Sequence, residues 1–205
     1  TIGGKRIRAR GGQSVLDAAR DNGILVPSLC HSQDLTPVGS CRLCMVEVEG
    51  YRNEMAACTL KVAEGMVVRT ESPRIAATRK LVLEMLLERY RAPQGGDGEG
   101  AETEFMHWVR HYGARRGALA DAESLHAVDG DPHPLIRVDL NKCILCTRCV
   151  RACAEVQGRF VWGVAGRGEH AHIVAGYECS MQQARCESCG ACVAGSSCEG
   201  GACVD

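Results

Sequence analysis

The spacing of the cysteines constrains this chain more than any other feature of its sequence. A first set has the pattern C-x10-C-x2-C-x13-C and consists of Cys30, Cys41, Cys44 and Cys58. After a long stretch without cysteine, a second set begins with the run C-x2-C-x2-C-x3-C, formed by Cys143, Cys146, Cys149 and Cys153, and continues with a triplet at Cys186, Cys189 and Cys192. Thiolates this close in sequence chelate a metal centre more easily than they bridge distant segments. Each set therefore requires a loop that folds around a metal centre.

Both patterns are typical of iron–sulfur ligands. The first set predicts a 2Fe-2S cluster, and the run C-x2-C-x2-C-x3-C is the pattern of bacterial 4Fe-4S ferredoxins. In two-cluster ferredoxins the fourth cysteine of each run binds the other cluster. By this rule Cys143, Cys146 and Cys149 hold one 4Fe-4S cluster. The ligands of the other 4Fe-4S cluster are then Cys153, Cys186, Cys189 and Cys192.

The fourth ligand of the first 4Fe-4S cluster is irregular. The ferredoxin rule places a cysteine at position 196, where this chain has Ser196. The predicted substitute is Cys198, which lies two residues later, and Cys203 is the second candidate, since a serine ligand would be rarer. Cys179 has no place in either run, and we expect it to be a free and partly buried thiol.

A disulfide framework and a zinc ribbon fit the 14 cysteines less well than iron–sulfur clusters do. A disulfide framework is usual in short secreted proteins, but the uneven distribution and the repeated C-x2-C pairs favour chelation. A zinc ribbon pairs two C-x2-C knuckles, whereas this chain has two triplets, whose third sulfur suits a 4Fe-4S cluster. His107 and His111 lie four residues apart, a spacing that can chelate metal, but ordinary surface or core histidines are the simpler interpretation.

The charge balance excludes several classes of partner. With 24 Lys and Arg against 25 Asp and Glu, the formal net charge is −1, so nothing indicates binding to nucleic acid or to an anionic membrane. The longest apolar stretch, from Leu81 to Leu87, is interrupted by Glu84 and is too short for a membrane span. We expect a cytoplasmic protein, because thiols stay reduced and available for metal in that compartment.

The first part of the chain predicts a small sheet packed on one helix. Ile2 to Arg8 alternates like a strand, and the following helix is capped by Ser14 and ends at Asn22-Gly23. Three further short strands are predicted at Met45 to Val48, Ala56 to Val62 and Met66 to Arg69.

The middle of the chain predicts two helices and a linker. The first helix begins at Pro73, after Ser72 as its N-cap, and extends as far as Tyr90. We expect its apolar stripe to dock the first domain onto a neighbour, and the stripe consists of Ile75, Leu81, Val82, Met85 and Leu86. Residues 92–100 are rich in glycine and acidic residues and predict a linker, and Phe105 to Tyr112 predicts a short helix.

The second half contains an internal repeat. Cys143-Ile-Leu-Cys-Thr-Arg-Cys149-Val is matched by Cys186-Glu-Ser-Cys-Gly-Ala-Cys192-Val. Between the copies, Phe160 to Val164 and Ala171 to Val174 flank glycines and predict a hairpin, and Leu135 to Val138 predicts a strand before the first copy. The expected order is loop and helix, hairpin, loop and helix.

The residues around the first cysteine set resemble a known family. Gly39-Ser-Cys-Arg-Leu-Cys-Met-Val-Glu-Val48 and its flanking cysteines are similar to the N-terminal 2Fe-2S domain of the large iron–sulfur subunit of complex I, a domain that also opens NAD-linked hydrogenases and formate dehydrogenases. The resemblance implies an α+β chain: a β-grasp 2Fe-2S ferredoxin domain over residues 1–72, a linker region over 73–134, and a bacterial-type two-cluster 4Fe-4S ferredoxin domain over 135–205.

Within this family, the gap between the cysteine sets favours formate dehydrogenase. Complex I and the hydrogenases usually continue with a cluster held by one histidine and three cysteines, but no cysteine lies between Cys58 and Cys143. The pattern looks more like the alpha subunit of cytosolic NAD-dependent formate dehydrogenases, many of which lack that cluster. Three segments are similar to the ferredoxin region of that subunit: His133-Pro-Leu-Ile-Arg-Val-Asp-Leu-Asn-Lys-Cys143, Cys153-Ala-Glu-Val-Gln157 and Ala165-Gly-Arg-Gly-Glu-His-Ala171.

The predicted function is electron relay between a flavin/NAD-binding subunit and a metal active site. The resemblance implies a molybdenum or tungsten formate dehydrogenase catalytic subunit or domain as the partner, so the chain is a separate small subunit or the front of a longer protein. Alternatives are the diaphorase subunit of an NAD-linked hydrogenase or complex I-like enzyme, and a free ferredoxin-type carrier. No G-x-G-x-x-G fingerprint follows a strand and no catalytic constellation is recognisable, so NAD and substrate are expected to bind elsewhere.

Overall fold

The structure is a computed structural model of the 205-residue chain, and it describes residues 1–90, 103–117, 126 and 130–194. The described helices are α1 (Val15–Asp21), α2 (Pro73–Arg89), α3 (Glu104–His111), α4 (Arg148–Arg151) and α5 (Ala191–Ala194). The described strands are β1 (Met45–Val48), β2 (Met55–Ala56), β3 (Val68–Arg69), β4 (Trp162–Ala165) and β5 (His172–Ala175). A π-helical turn, Ala152–Val156, continues α4, and short 3-10 turns lie at Leu140–Lys142 and Gly168–His170.

The N-terminal part is a three-stranded antiparallel sheet packed on α1. The strand order is β2-β1-β3, with Met45 opposite Ala56 and Val48 opposite Val68. The Ser14 side chain accepts a hydrogen bond from the Asp17 N–H at the start of α1, as the sequence predicts. One apolar core lies between helix and sheet, and its members include Val15, Leu16, Ala19, Val46 and Val68.

Several predicted strands are wrong or too long. Within Ile2 to Arg8 only isolated bridges form, from Ile2 to Lys5 and to Val68, because Gly3 and Gly4 turn the backbone at positive φ. The strands predicted at 56–62 and 66–69 shrink to β2 and β3, and 135–138 is not a strand. The predicted helix over 105–112 is confirmed as α3, shifted by one residue. The linker predicted at 92–100 lies outside the described residues.

The buried face of α2 differs from the predicted stripe. The helix begins and ends as predicted, with the Ser72 side chain accepting from the Ile75 N–H. Its buried residues, however, are Ile75, Arg79, Leu83 and Leu87, spaced four apart. Leu81 and Met85 are 59% and 65% exposed, so the predicted stripe is wrong. The sequence pattern failed because an arginine occupies the centre of the buried face.

A second core joins the two halves of the chain. It contains side chains from the first cysteine loop, from α2 and α3, and Ile144 of the first triplet. Its members are Leu29, Cys30, Cys41, Leu43, Leu83, Leu87, Phe105, Trp108, Val109, Ala114 and Ile144, and Cys146 packs against it. The face of α2 therefore docks onto the cysteine loop and α3 of the same chain.

The C-terminal part is built around the predicted hairpin. Strands β4 and β5 pair antiparallel, with Trp162 opposite Ala175 and Ala165 opposite His172. They pack on a third core that includes Ile136, Met181, Cys153 and Cys192. The helices α4 and α5 follow the two cysteine triplets, which matches the predicted order of loop and helix, hairpin, loop and helix. None of the helices in the described part of the chain has the length and apolar character that a membrane span needs.

Candidate metal centres

The four cysteines of the first set lie in one buried region between α1 and the sheet. Cys30 and Cys41 flank the long loop that follows α1, Cys44 immediately precedes β1, and Cys58 follows β2. Each of the four is at most 6% exposed. The fold therefore brings together four residues that are up to 28 positions apart in the sequence, from Cys30 to Cys58.

The sulfur atoms of this set interact in pairs. Hydrogen bonds from the thiols of Cys41 and then Cys58 lower the pKa of Cys30 to about 2, and the same bond to Cys30 raises the pKa of Cys41. A hydrogen bond from Cys58 lowers the pKa of Cys44. The pKa of Cys58 is raised by its bonds to Cys30 and then Cys44. The thiols are thus close enough to share protons, and the pocket tolerates thiolate charge.

Backbone N–H groups point at the sulfur atoms of this loop. The Leu29 N–H donates to Cys41 Sγ at 3.4 Å, and the Cys41 N–H donates to Cys30 Sγ at 3.5 Å. Gly39 allows the turn, because its φ is +62° and an added Cβ would lie 3.3 Å from Thr59 Cγ2. N–H donors of this kind stabilise thiolate charge and tune the potential of a bound cluster.

The internal repeat of the second half is also a repeat of backbone conformation. In each triplet loop the residue before the second cysteine and the residue after it both have positive φ: Leu145 (+54°) and Thr147 (+59°) in the first copy, Ser188 (+58°) and Gly190 (+73°) in the second. In both copies the N–H of the residue two positions after the first cysteine donates to that cysteine's Sγ at 3.4 Å. The two triplets therefore present their sulfur atoms in the same way.

The thiols of the first triplet lie near one another and near the second triplet. Burial raises the pKa of Cys143 to about 11, with a smaller contribution from the charge of Cys146. Burial also raises the pKa of Cys149, and the charges of Cys146, Cys143 and Cys192 add to the effect. The pKa of Cys192 is raised by burial too, although a hydrogen bond with Trp162 opposes the rise. A positive metal centre would offset the cost of charging these buried thiols.

The remaining cysteines differ in exposure. Cys153 lies on the π-helical turn, is 6% exposed, and accepts a hydrogen bond from the Val161 N–H at 3.3 Å. It shares the third core with Cys192 and Cys186, whereas Cys189 is exposed. Cys179 is partly buried, and its Sγ donates to the Ala175 carbonyl at 3.7 Å. The predicted ligand Cys198 and its alternative Cys203 lie outside the described residues.

Comparison with known proteins identifies the two parts. Residues 1–73 match the family model described as the 2Fe-2S iron-sulfur cluster binding domain. Residues 133–184 match the family model described as NADH-quinone oxidoreductase subunit 3, ferredoxin-like domain. The mitochondrial NADH-ubiquinone oxidoreductase 78 kDa subunit of Candida albicans is 36% identical over 84% of this chain. The chain belongs to this family of iron–sulfur subunits. The predicted family is thereby confirmed.

Other family members are hydrogenase subunits. The NADP-reducing hydrogenase subunit HndD of Solidesulfovibrio fructosivorans is 34% identical over 95% of this chain. The chain spans 24% of the length of the Candida protein and 34% of that of the hydrogenase subunit. Among solved structures, the NAD+-reducing NiFe-hydrogenase in the H2-reduced state aligns with a TM-score of 0.78 and 28% identity, covering 88% of this chain and 76% of that chain.

The residues present fit the iron–sulfur clusters of this family. The donor sets are sulfur only, and N–H groups donate to sulfur atoms in both halves, which is the donor chemistry of iron–sulfur sites. None of the twelve cysteines within the described ranges forms a disulfide. Over those same ranges, no three or more His, Cys, Asp or Glu side chains converge in the way that a single metal ion requires. His107 and His111 stack with ring centroids 6.3 Å apart on α3.

Two arginines that the sequence analysis did not single out connect the halves. Arg148 donates to the His31 carbonyl from Nε at 3.1 Å and forms an ion pair with Glu104 at 3.2 Å. Arg151 donates to the carbonyls of Cys30 and, at 2.8 Å, of Thr36. Both arginines lie on α4, beside the cysteines of the first triplet, so the family's two cysteine regions are in contact. Only the sequence position of these arginines within the triplet helix could have indicated a role.

Proposed function

We propose that this chain is the electron-transfer portion of an NAD(P)-linked oxidoreductase complex. It carries one 2Fe-2S cluster and two 4Fe-4S clusters, and it relays single electrons between a flavin/NAD-binding subunit and a metal active site on another chain or domain. The observation that carries this proposal is the repeated triplet loop, whose backbone conformation and N–H to sulfur bonds are duplicated, beside a buried set of four cysteines.

The proposed ligand sets follow the sequence prediction. The 2Fe-2S cluster takes Cys30, Cys41, Cys44 and Cys58, the first 4Fe-4S cluster takes Cys143, Cys146, Cys149 and Cys198, and the second takes Cys153, Cys186, Cys189 and Cys192. When bound, each cluster accepts and releases one electron. The chain's own residues prepare the sites: N–H groups of Leu29 and Leu145 stabilise negative charge on sulfur, and the second core excludes water between the two halves.

We further propose a formate-oxidising molybdenum or tungsten subunit as the metal partner. The support is the segment between Cys58 and Cys143, which has no cysteine for a further cluster. In the described part of that segment, apolar packing by Phe105 and Trp108 joins the cysteine loop to Ile144. A hydrogenase partner is the second candidate, favoured by the TM-score of 0.78 to the NAD+-reducing hydrogenase.

Iron and sulfide analysis with EPR of the reduced protein tests the cluster assignment. Because one 2Fe-2S and two 4Fe-4S clusters are proposed, we expect about ten irons per chain with matching labile sulfide. About six irons would eliminate one 4Fe-4S cluster, and a colourless protein with zinc and no sulfide would refute the proposal. Cys198→Ala should remove one 4Fe-4S signal, whereas Cys179→Ala, a matched control, should remove none.

The partner proposal is tested on the complete native complex. Formate added anaerobically should reduce the EPR-visible clusters of this chain, and NAD should then reoxidise them. Reduction by hydrogen but not by formate would replace the formate-oxidising partner with a hydrogenase. Reduction by NADH alone would indicate a complex I-like enzyme instead.

A further inference from the structure

Arg151 occupies an unusual position between the two cysteine regions. It lies two residues after Cys149 and two before Cys153, and it is only 7% exposed. Its guanidinium group reaches across to the first cysteine loop, where it donates to the Cys30 carbonyl and to the Thr36 carbonyl. A further bond, of 3.4 Å, runs to Thr147 Oγ1 within its own helix. One buried cation therefore contacts the backbone of a first-set cysteine and lies between two second-set cysteines.

Among the residues that the structure describes, no direct ion pair balances the charge of Arg151. Its partners there are two carbonyl groups and one hydroxyl group. Glu155, one turn later, is exposed to water and accepts a hydrogen bond from the Thr36 N–H at 2.7 Å. Arg148 makes the same kind of crossing to the His31 carbonyl, but its charge is paired with Glu104 at 3.2 Å. The two arginines thus differ in net local charge although both cross the same interface.

An unbalanced buried cation favours negative charge at both neighbouring sites. An electron that arrives at either site adds one negative charge, and the attraction to a fixed positive charge is strong where water is excluded. Charge and hydrogen bonding around the thiolates are among the determinants of cluster potential.

On the basis of the proposed cluster sites, we propose that Arg151 is a shared positioning residue that raises the reduction potentials of the 2Fe-2S site and of the adjacent 4Fe-4S site. It keeps the two sites accessible to the same electron donor. Arg148 contributes mainly to docking, because Glu104 neutralises it.

Redox titration with dithionite, monitored by EPR on the full chain with its clusters, tests this role. Arg151→Gln removes the charge, Arg151→Lys keeps it, and Arg148→Gln removes a crossing contact whose charge is already paired. We expect Arg151→Gln to lower both potentials, by a tenfold change in each reduction equilibrium or more, which is about 59 mV for one electron. Arg151→Lys should restore most of the shift, and Arg148→Gln should produce little.

Three outcomes would overturn the proposal. They are unchanged potentials in Arg151→Gln with both clusters present, an equal shift in Arg148→Gln, and no rescue by lysine. If Arg151→Gln does not assemble its clusters, Glu104→Gln decides, because it unbalances Arg148 without removing the arginine's bonds to His31. The 2Fe-2S potential should then rise, and a constant value would refute the electrostatic role. Wild-type iron content reports separately on the proposed function, since missing clusters would refute that assignment and not this one.

Discussion

At the scale of single residues, Arg79 shows how a polar side chain can organise a cofactor loop. It is fully buried, and its guanidinium group donates to the carbonyls of Leu43, Met45 and Thr70. Leu43 and Met45 are the neighbours of Cys44 on both sides, so Arg79 holds the backbone that presents this cysteine. Glu71 pairs with the charge at 2.5 Å. A buried arginine with this many acceptors replaces the apolar residue that helix periodicity predicts.

Removing this arginine should destabilise the protein and its 2Fe-2S loop. Arg79→Met leaves three carbonyl groups without their donor, and we expect a loss of about 3 kcal/mol in the free energy of unfolding. Lys80→Met is the matched control, because Lys80 lies next on the same helix and makes only a solvent-exposed pair with Glu84. Thermal unfolding followed by the visible absorbance of the clusters measures both variants. Equal melting temperatures would contradict the organising role of Arg79.

At the scale of secondary structure elements, helix ends were predictable from the sequence and helix faces were not. Ser14 and Ser72 both act as N-caps as predicted, because a cap depends on residues within one turn. The buried face of α2 depends on the first cysteine loop, which contributes carbonyl acceptors from distant positions, and no local pattern reveals them. Strand lengths failed for a similar reason, since β2 and β3 extend only as far as β1 provides partners.

The hairpin β4–β5 depends on a glycine at its turn. Gly166 has a φ of +73°, and a Cβ at this position would lie 2.3 Å from the His170 carbonyl oxygen. Gly166→Ala therefore adds a steric overlap to the ordinary cost of positive φ, and we expect a loss of about 2 kcal/mol or more. Gly158→Ala separates the two effects, because Gly158 has a φ of +65° and no atom within 4 Å of an added Cβ. Denaturant unfolding should show the larger loss for position 166; equal losses would remove the steric explanation.

At the scale of the whole molecule, the sequence predicts two cysteine regions but not how they meet. The spacings of the cysteines indicate the cluster types, and the internal repeat indicates two equivalent loops, because both depend on short-range geometry. The contact between the regions depends on Arg148, Arg151 and Ile144, which reach residues more than 100 positions earlier in the chain. Nothing in the local sequence of α4 specifies those partners, so only the folded chain reveals the interface.

The shared core should make the two cysteine regions unfold together. Ile144 belongs to the triplet loop of the second half but is 4% exposed in the core that contains Cys30, Cys41 and Leu43. Ile144→Ala removes apolar contacts from both sides, and we expect a loss of about 2 to 4 kcal/mol, because large-to-small changes in a packed core also leave a cavity. Leu135→Ala is the control, since Leu135 is 72% exposed. In a thermal scan of the cluster-loaded chain, the EPR signals of the 2Fe-2S and 4Fe-4S sites should disappear together and at a lower temperature in Ile144→Ala. If only the 4Fe-4S signals shifted, the 2Fe-2S region would fold independently, and the second core would be a contact between separate domains rather than part of one cooperative unit.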